Sequence, residues 1–351
     1  MSRHYDAVVA PGLEPAAERE LLALGATETL REAGSVRFDV ADDRVLRQVL
    51  VGLRSVTRVL ERVVEAEVTR FDALEKFLLG IHLHRFRTAP GPARVHVSAA
   101  RSKLFHTGAL EERARRFLAL EPAPREGDAL EVWLRVRNDR VRVSVDASGE
   151  RLQRRGYRLD GARAPLRETL AAGILLALEW DPTTPLVDPM CGSGTFPIEA
   201  ALMAANRGPN SGRRFACDDW PGFEPGKPVR AVAAAPSGPT QIVGVDRDSR
   251  ALAAARDNAQ RAEVAVDWFN AAAENIGPGD LPPGLIIANP PYGRRLEEPH
   301  SALRTLEAMR ERFVGWRLAA LWPHDIPRGW SRRLFVRNGG IGITVIERSG
   351  S

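Results

Sequence analysis

The stretch Leu186-Val187-Asp188-Pro189-Met190-Cys191-Gly192-Ser193-Gly194-Thr195 decides the fold of this chain. It runs from an apolar strand through a glycine turn into a helix predicted over residues 195–205. Glycines let a ligand approach the backbone closely, and a helix N-terminus favours a negative group. A loop of this kind lies at the carboxyl edge of a doubly wound α/β sheet, where such folds bind their ligands.

The loop differs from the two common phosphate-binding patterns. Pro197 stands where a dinucleotide fingerprint has its third glycine, and no Gly-Lys-Ser/Thr follows, as a P-loop requires. Asp188 at the strand tip would repel a phosphate but would accept hydrogen bonds from an ammonium group. A zwitterionic amino acid therefore fits this loop better than a pyrophosphate does.

Asp246 ends the next predicted strand, and an acid at this position can accept both hydroxyls of a ribose. It follows Gly192 by 54 residues, against roughly 20 in the usual fingerprint. The excess is the Gly- and Pro-rich segment 207–239, which we expect to be an inserted surface loop. Two simpler interpretations stay open, namely a plain tight turn for the glycines and a helix N-cap for Asp246.

Asn289-Pro290-Pro291-Tyr292 follows the apolar run Leu285–Ala288 and so lies at the end of another strand. The prolines fix φ and remove two N–H donors, which leaves an amide oxygen, a carbonyl and a ring projecting together. This set suits a flat base that carries an amino group, because the acceptors take its N–H bonds and the ring stacks on its face. The alternative is a structural turn.

Strands alternate with helices after residue 165, which predicts a parallel doubly wound sheet closed by an antiparallel hairpin at Asn338-Gly339. The N-terminal half reads as two smaller α+β blocks, with Thr107 predicted to cap a helix in the second. A basic, glycine-dotted linker joins the two halves. The predicted boundaries are 1–54, 55–148, 149–164 for the linker and 165–351.

The composition is that of a soluble globular protein, with 44% apolar and 27% charged residues in 351. No long apolar run or signal peptide is present, so we expect a cytoplasmic protein. Two cysteines exclude a Cys-rich zinc module. The net charge is +5, and residues 1–160 hold 28 basic against 24 acidic side chains, which favours a polyanion bound by the N-terminal half.

The glycine loop, Asp246 and Asn289–Tyr292 occur in the order found in S-adenosylmethionine-dependent amino-methyltransferases, which this chain resembles. Lys103–Arg113, Leu152–Arg158 and Ala164–Thr169 resemble the THUMP-domain RNA methyltransferases, in particular the large-subunit ribosomal RNA guanine-N2 family. The resemblance implies a ferredoxin-like unit at 1–54, a THUMP RNA-binding domain at 55–148 and a Rossmann-like methyltransferase domain at 165–351.

The resemblance implies methyl transfer from S-adenosylmethionine to the exocyclic N2 amine of a guanosine, in 23S ribosomal RNA. The open alternatives are a transfer-RNA guanine-N2 enzyme, a methyltransferase of another amine such as DNA adenine N6 or a protein glutamine, and a non-catalytic RNA-binding protein. We expect RNA as the partner of a monomer, without a membrane or a metal.

The predicted site residues fall into three groups. The catalytic candidates are Asn289, Pro290, Pro291 and Tyr292. The cofactor-binding candidates are Asp188, Pro189, Met190, Cys191, Gly192, Gly194, Thr195, Asp246, Arg247, Ala273 and Asn289. The RNA-binding candidates are Arg101, Lys103, His106, Arg151, Arg154, Arg155 and Arg158. One departure from the family pattern is the run Ala271-Ala272-Ala273, which lacks the carboxylate that usually binds adenine, so Glu274 or a carbonyl would have to substitute.

Overall fold

The computed structural model describes residues 3–89, 91–124, 127–158, 166–226, 240–290, 299–338 and 341–348. In the N-terminal half, the helices cover the inner face of a mixed eight-stranded sheet of order β2-β3-β1-β4-β8-β7-β5-β6. Its elements are β1 Arg3–Val9, α1 Glu14–Ala23, β2 Thr27–Glu32, β3 Ser35–Val40, α2 Asp43–Gly52, β4 Val56–Glu67, α3 Phe71–Leu79, β5 Pro92–Ala100, α4 Thr107–Phe117, β6 Glu121–Pro122, β7 Leu130–Arg137 and β8 Arg140–Asp146.

Strand β4 joins the two predicted N-terminal blocks. It pairs antiparallel with β1 on one side and with β8 on the other. The blocks predicted for 1–54 and 55–148 therefore share one sheet and one hydrophobic core, and the boundary between them stays a prediction.

The C-terminal half contains a seven-stranded sheet of order β11-β10-β9-β12-β13-β15-β14, parallel except for the hairpin at its edge. Its elements are α5 Glu168–Ala177, β9 Leu186–Asp188, α6 Thr195–Ala204, β10 Ile242–Asp246, α7 Ser249–Ala262, β11 Asp267–Asn270, β12 Leu285–Ala288, α8 Pro299–Arg312, β13 Arg317–Trp322, β14 Ser331–Asn338 and β15 Ile341–Arg348. The order places β9 between β10 and β12, so the ends of these three strands meet at one edge.

The two halves pack tightly against each other. Helix α5 lies against α1, and a Cβ atom added at Gly173 would come within 2.5 Å of Cδ1 of Leu13. A side chain at position 173 would therefore push the helices apart. Arg19 adds a hydrogen bond of 3.1 Å from its Nη2 to the carbonyl of Leu176.

The prediction of a surface loop at 207–239 is wrong for its described part, residues 207–226. Asn210 is buried, and its Nδ2 donates to the carbonyls of Leu50 and Leu53 in the N-terminal half at 2.9 and 3.0 Å. Trp220 packs edge-on against Phe86, with ring centroids 4.8 Å apart. The first part of the insertion thus fastens the halves together, and residues 227–239 lie outside the described chain.

Local elements differ from the sequence expectations in three further places. Thr107 is the first residue of α4, and the N-cap is His106 without a side-chain hydrogen bond, so the predicted Thr107 cap is wrong. The sequence also predicts a strand over Val264–Trp268, and the structure places this strand at Asp267–Asn270. The short strand β2 was not expected, because its outward side chains give little apolar alternation. Pro165, predicted to open a helix, lies outside the described residues.

Candidate active site at the carboxyl edge of the C-terminal sheet

The glycine loop makes a tight connection from β9 to α6. Gly192 and Gly194 have positive φ values of +52° and +84°, which glycine adopts without strain. A Cβ atom at Gly194 would lie 2.7 Å from the ring of Trp268, whereas one at Gly192 would meet no atom within 4 Å. Gly194 is therefore required for packing, and Gly192 faces open space where a ligand can approach the backbone.

Asp246 binds the glycine loop directly. Its Oδ2 accepts a hydrogen bond of 2.8 Å from the backbone N–H of Gly192, and its Oδ1 accepts one of 2.9 Å from Asp248. The N-cap of α7 is Asp248, whose carboxylate accepts from Arg250 and Ala251. Asp246 is thus not the helix cap, and both of its oxygens keep acceptor capacity for hydroxyl groups.

Asp188 is an almost fully buried carboxyl group at the tip of β9. Burial raises its pKa to about 8, and the negative charge of Asp246 adds to this, while a hydrogen bond of 3.1 Å from Met190 N–H opposes it. A cation placed beside the group would favour the carboxylate form. The site therefore suits an ammonium group.

Cys191 has the role of a packed residue rather than a nucleophile. Its side chain is buried, and burial raises the pKa of the thiol well above its ordinary value. Its backbone N–H donates to the carbonyl of Val245 at 2.9 Å, which holds the loop against β10.

Asn289 lies directly after β12, beside the strand that carries the glycine loop. Its side-chain oxygen is buried and has no hydrogen-bond partner among the described residues. A buried acceptor without a donor costs about 1–3 kcal/mol, which favours a ligand that supplies the donor. Pro290 is buried next to it, while Pro291 and Tyr292 lie outside the described part of the chain.

The groups predicted to contact the adenine of the cofactor, at Ala273 and Glu274, already have hydrogen-bond partners in α8. The carbonyl of Ala273 accepts from Arg312 at 3.3 Å, and Oε1 of Glu274 accepts from Thr305 at 2.6 Å. The Thr305 hydrogen bond lowers the pKa of Glu274. Glu274 is therefore already engaged with α8. Arg247, the other candidate here, is exposed.

Asn270 is a residue that the sequence reasoning missed. It ends β11, and its Nδ2 donates to the carbonyl of Asp246 at 2.9 Å. The available signal was a polar residue at the end of a strand next to Asp246. This amide fixes the end of β11 against the acid that is predicted to bind ribose.

The predicted RNA-binding residues separate into exposed and buried sets. The exposed members are Arg101, Lys103, His106, Arg151 and Arg154. The prediction that Arg155 binds RNA is corrected, because its side chain is only 1% exposed. Its Nε lies 3.6 Å from Oε1 of Glu199. The same prediction for Arg158 is corrected too, because its guanidinium donates a hydrogen bond to Thr195 and forms a salt bridge of 3.3 Å with Glu168. These two arginines are not available to an RNA phosphate in this structure.

A groove of about 410 Å³ follows the ends of β5 and β7 on the N-terminal sheet, lined by residues 98–101 and 135–137. Arg135 and Arg137 are among its lining residues, and within the described ranges neither side chain forms a salt bridge or hydrogen bond, although the positive charge of Arg135 opposes the rise in the pKa of the buried Asp6. The neighbouring loop carries Phe105, which is 60% exposed and contacts the ring of His106. Alternation with the buried Leu134 and Val136 was the sequence signal for this pair of arginines.

Within the described residues, no group of three or more His, Cys, Asp or Glu side chains could hold a metal ion. None of the helices described is both long and apolar enough to cross a membrane.

Comparisons with known proteins match two regions of this chain. Residues 155–320 match the RMKL-like methyltransferase domain, and residues 5–60 match the RlmL ferredoxin-like domain. A Synechocystis protein named "Putative RNA methyltransferase" is 27% identical, over 99% of this chain and 96% of its own length. The ribosomal RNA large subunit methyltransferase K/L of Cellvibrio japonicus is 33% identical over 90% of this chain, which spans 46% of that protein.

Solved structures show the same architecture over the whole chain. A Listeria monocytogenes protein, described as a predicted N6-adenine-specific DNA methylase, has a TM-score of 0.86 and 25% identity and is covered over 97% of its chain. The protein SMU.472, described as "a putative methyltransferase complexed with SAH", has a TM-score of 0.80 and 25% identity, and 98% of its chain is covered. These matches confirm the predicted S-adenosylmethionine-type methyltransferase fold. The chain therefore joins a region similar to the RMKL-like methyltransferase domain, at residues 155–320, to a region similar to the RlmL ferredoxin-like domain, at residues 5–60.

Proposed function

We propose that this protein transfers a methyl group from S-adenosylmethionine to the exocyclic N2 amine of a guanosine in RNA, with 23S ribosomal RNA as the substrate. The observation that carries the proposal is the buried side-chain oxygen of Asn289 at the end of β12, which has no hydrogen-bond partner among the described residues. It lies on the strand next to the glycine loop, where an amine and a methyl donor would meet.

The residues at the sheet edge fit the cofactor group by group. The buried carboxyl of Asp188 suits the ammonium, and Asp246 keeps acceptors for the ribose hydroxyls. Open space over Gly192 admits the amino-acid portion beside the loop. Asn270 and the backbone after it line the adenine side in place of the missing carboxylate. Bound here, S-adenosylmethionine supplies a methyl group that its sulfonium has already activated.

Asn289 and Pro290 position the amine. The amide oxygen of Asn289 and the carbonyl of Pro290 accept the two N–H bonds, which directs the nitrogen lone pair at the methyl group. The same oxygens stabilise positive charge as it develops on nitrogen. In the proposal, Tyr292 stacks on the base. The product ammonium is acidic enough to release its proton to water, so no dedicated general base is needed.

RNA as the substrate is supported from two sides. The names of the Synechocystis and Cellvibrio relatives refer to RNA. The groove on the N-terminal sheet is lined by Arg135 and Arg137, which form no salt bridge or hydrogen bond within the described residues, and by the exposed Arg101, and the loop that follows carries the exposed Lys103 and Phe105. Cations for phosphates and an aromatic ring for a base are the elements of a single-strand RNA surface. Extruding the target nucleotide costs a few kcal/mol, which this surface would offset.

A second candidate, methylation of adenine N6 in DNA, is favoured by the description of the Listeria structure. The amine-binding geometry at Asn289 suits either base. A transfer-RNA guanine would also fit the site. Incubating the protein with labelled cofactor and, separately, total RNA and DNA, followed by nucleoside analysis, distinguishes these substrates. We expect N2-methylguanosine in ribosomal RNA, and N6-methyladenine as the sole product would refute the proposal.

Asn289→Ala tests whether the protein is an enzyme rather than an RNA-binding protein that kept the fold. We expect methyl transfer to fall by about 10²–10³-fold, because one transition-state acceptor is lost. Binding of S-adenosylhomocysteine should stay close to wild type by calorimetry. Equal turnover by the variant and the wild-type protein would remove Asn289 from the mechanism.

A further inference from the structure

Residues 155–158 connect the N-terminal half to the glycine loop. At one end, Nη2 of Arg155 donates to the carbonyl of Arg54 at 2.5 Å, and its Nη1 donates to Oδ1 of Asn210 at 3.0 Å. Asn210 itself bonds the carbonyls of Leu50 and Leu53. This end of the segment is therefore fixed to α2 and the turn that follows it.

The other end of the segment holds helix α6. The hydroxyl of Tyr157 donates to Oε1 of Glu199 at 3.0 Å, and both residues are buried. The guanidinium of Arg158 donates to Oγ1 of Thr195 and, at 3.0 Å, to the carbonyl of Leu166. Thr195 is the first residue of α6 and directly follows Gly194.

A second path leads from the segment to the residue before Gly194. The carbonyl of Tyr157 accepts from Nε of Arg261 at 2.7 Å, and Nη2 of Arg261 donates to Oδ1 of Asn258 at 2.6 Å. Asn258 donates from Nδ2 to the carbonyl of Ser193 at 3.0 Å. Hydrogen bonds therefore hold the loop at Ser193 and at Thr195, on both sides of Gly194, which has a left-handed backbone conformation.

We propose that Arg158 is a positioning residue of the cofactor site, acting through Thr195 to hold the glycine loop in its binding geometry. The inference rests on the proposed function, since it assigns S-adenosylmethionine to this loop. Thr195 directly follows Gly194, where an added Cβ atom would lie 2.7 Å from the ring of Trp268, so we expect a change at Thr195 to be transmitted to the loop backbone. In metal sites, removing a hydrogen bond that holds a ligand side chain from behind commonly changes affinity by about 10–100-fold, and we expect the lower end of this range for the glycine loop.

Arg158→Gln and Thr195→Val test the proposal by calorimetry with S-adenosylhomocysteine. We expect each variant to bind about tenfold more weakly, because both remove the charge-assisted hydrogen bond from Arg158 to Thr195 behind the loop, and Arg158→Gln also removes the contacts with Leu166 and Glu168. In turnover, KM for S-adenosylmethionine should rise by a similar factor while kcat changes less than about twofold. Affinity for RNA should not change, since Arg158 is enclosed. Arg214→Gln is the matched control, because its guanidinium is exposed and, within the described residues, forms its salt bridge with Asp219 alone.

The double variant decides whether Arg158 acts through Thr195. If it does, Arg158→Gln adds little once Thr195 is Val, and the two effects are strongly non-additive. Additive losses, or a cofactor affinity equal to wild type in either folded single variant, would overturn the inference. Thr195→Val keeps the volume of the buried side chain, so it provides the test even where Arg158→Gln does not fold. Failure of the wild-type protein to bind S-adenosylhomocysteine would instead refute the proposed function.

Discussion

Two arginine-rich regions look alike in the sequence and differ in the structure. At the end of the N-terminal sheet, Arg135 and Arg137 line a groove without salt bridges in the described chain. In the linker, Arg155 and Arg158 are enclosed by carbonyls and carboxylates from both halves. The difference shows that the hydrogen-bond and salt-bridge partners of an arginine, and not its charge alone, determine whether it can bind an external anion. The pair at the groove, without salt bridges among the described residues, is available to an external anion, and the enclosed pair is part of the fold.

Arg155→Ala is the strongest test of this difference. Removing the guanidinium leaves Glu199 buried without its cation and leaves the carbonyl of Arg54 without a donor, so we expect a loss of about 3–5 kcal/mol in the free energy of unfolding. Urea denaturation measures it.

The control is Arg151→Ala, in the same linker but exposed, for which we expect a change within about 0.5 kcal/mol. Equal losses for the two variants would contradict the distinction between paired and free arginines.

Burial also determines the chemistry at Asp188, and pH tests it. Because its pKa of about 8 exceeds the ordinary value, the neutral carboxyl stabilises the unliganded fold at low pH, and this contribution is lost as the pH rises towards 8. Binding an ammonium needs the carboxylate. Affinity for S-adenosylhomocysteine should therefore rise between pH 6 and 8, by up to about tenfold per unit.

Asp188→Asn sharpens this test, since an amide keeps the acceptor for Met190 N–H but cannot become charged. We expect calorimetry to show weaker binding at pH 8 and a slope close to zero between pH 6 and 8. A wild-type slope that survives in the variant would assign the titration to another group.

The strand-end positions could be predicted from the sequence, because an apolar run followed by glycine or proline marks where a chain leaves a sheet. Asp188, Asp246 and Asn289 were placed at one edge for this reason, and the strand order agrees. The enclosure of Arg155 could not be predicted, since its acceptor at Arg54 lies 101 residues away. Asn210 was missed in the same way, because its partners lie in α2 and its own segment is rich in glycine and proline. Hydrogen bonds between residues more than 100 positions apart in the sequence produce no local pattern from which they could be predicted.

The double variant Arg135→Ala/Arg137→Ala tests the arginines of the groove, and of these variants it has the smallest expected effect. If both side chains contact phosphates, RNA affinity falls by about tenfold, and the slope of log affinity against log salt becomes shallower by about two. Fold stability should change little, because neither side chain forms a salt bridge or hydrogen bond with the described residues. Arg94→Ala is the matched control on the same sheet, where the guanidinium already pairs with Glu131 at 2.6 Å and should leave the salt slope unaltered. Titrating a labelled ribosomal RNA fragment at several salt concentrations measures both quantities, and an unchanged slope in the double variant would place the RNA on another surface.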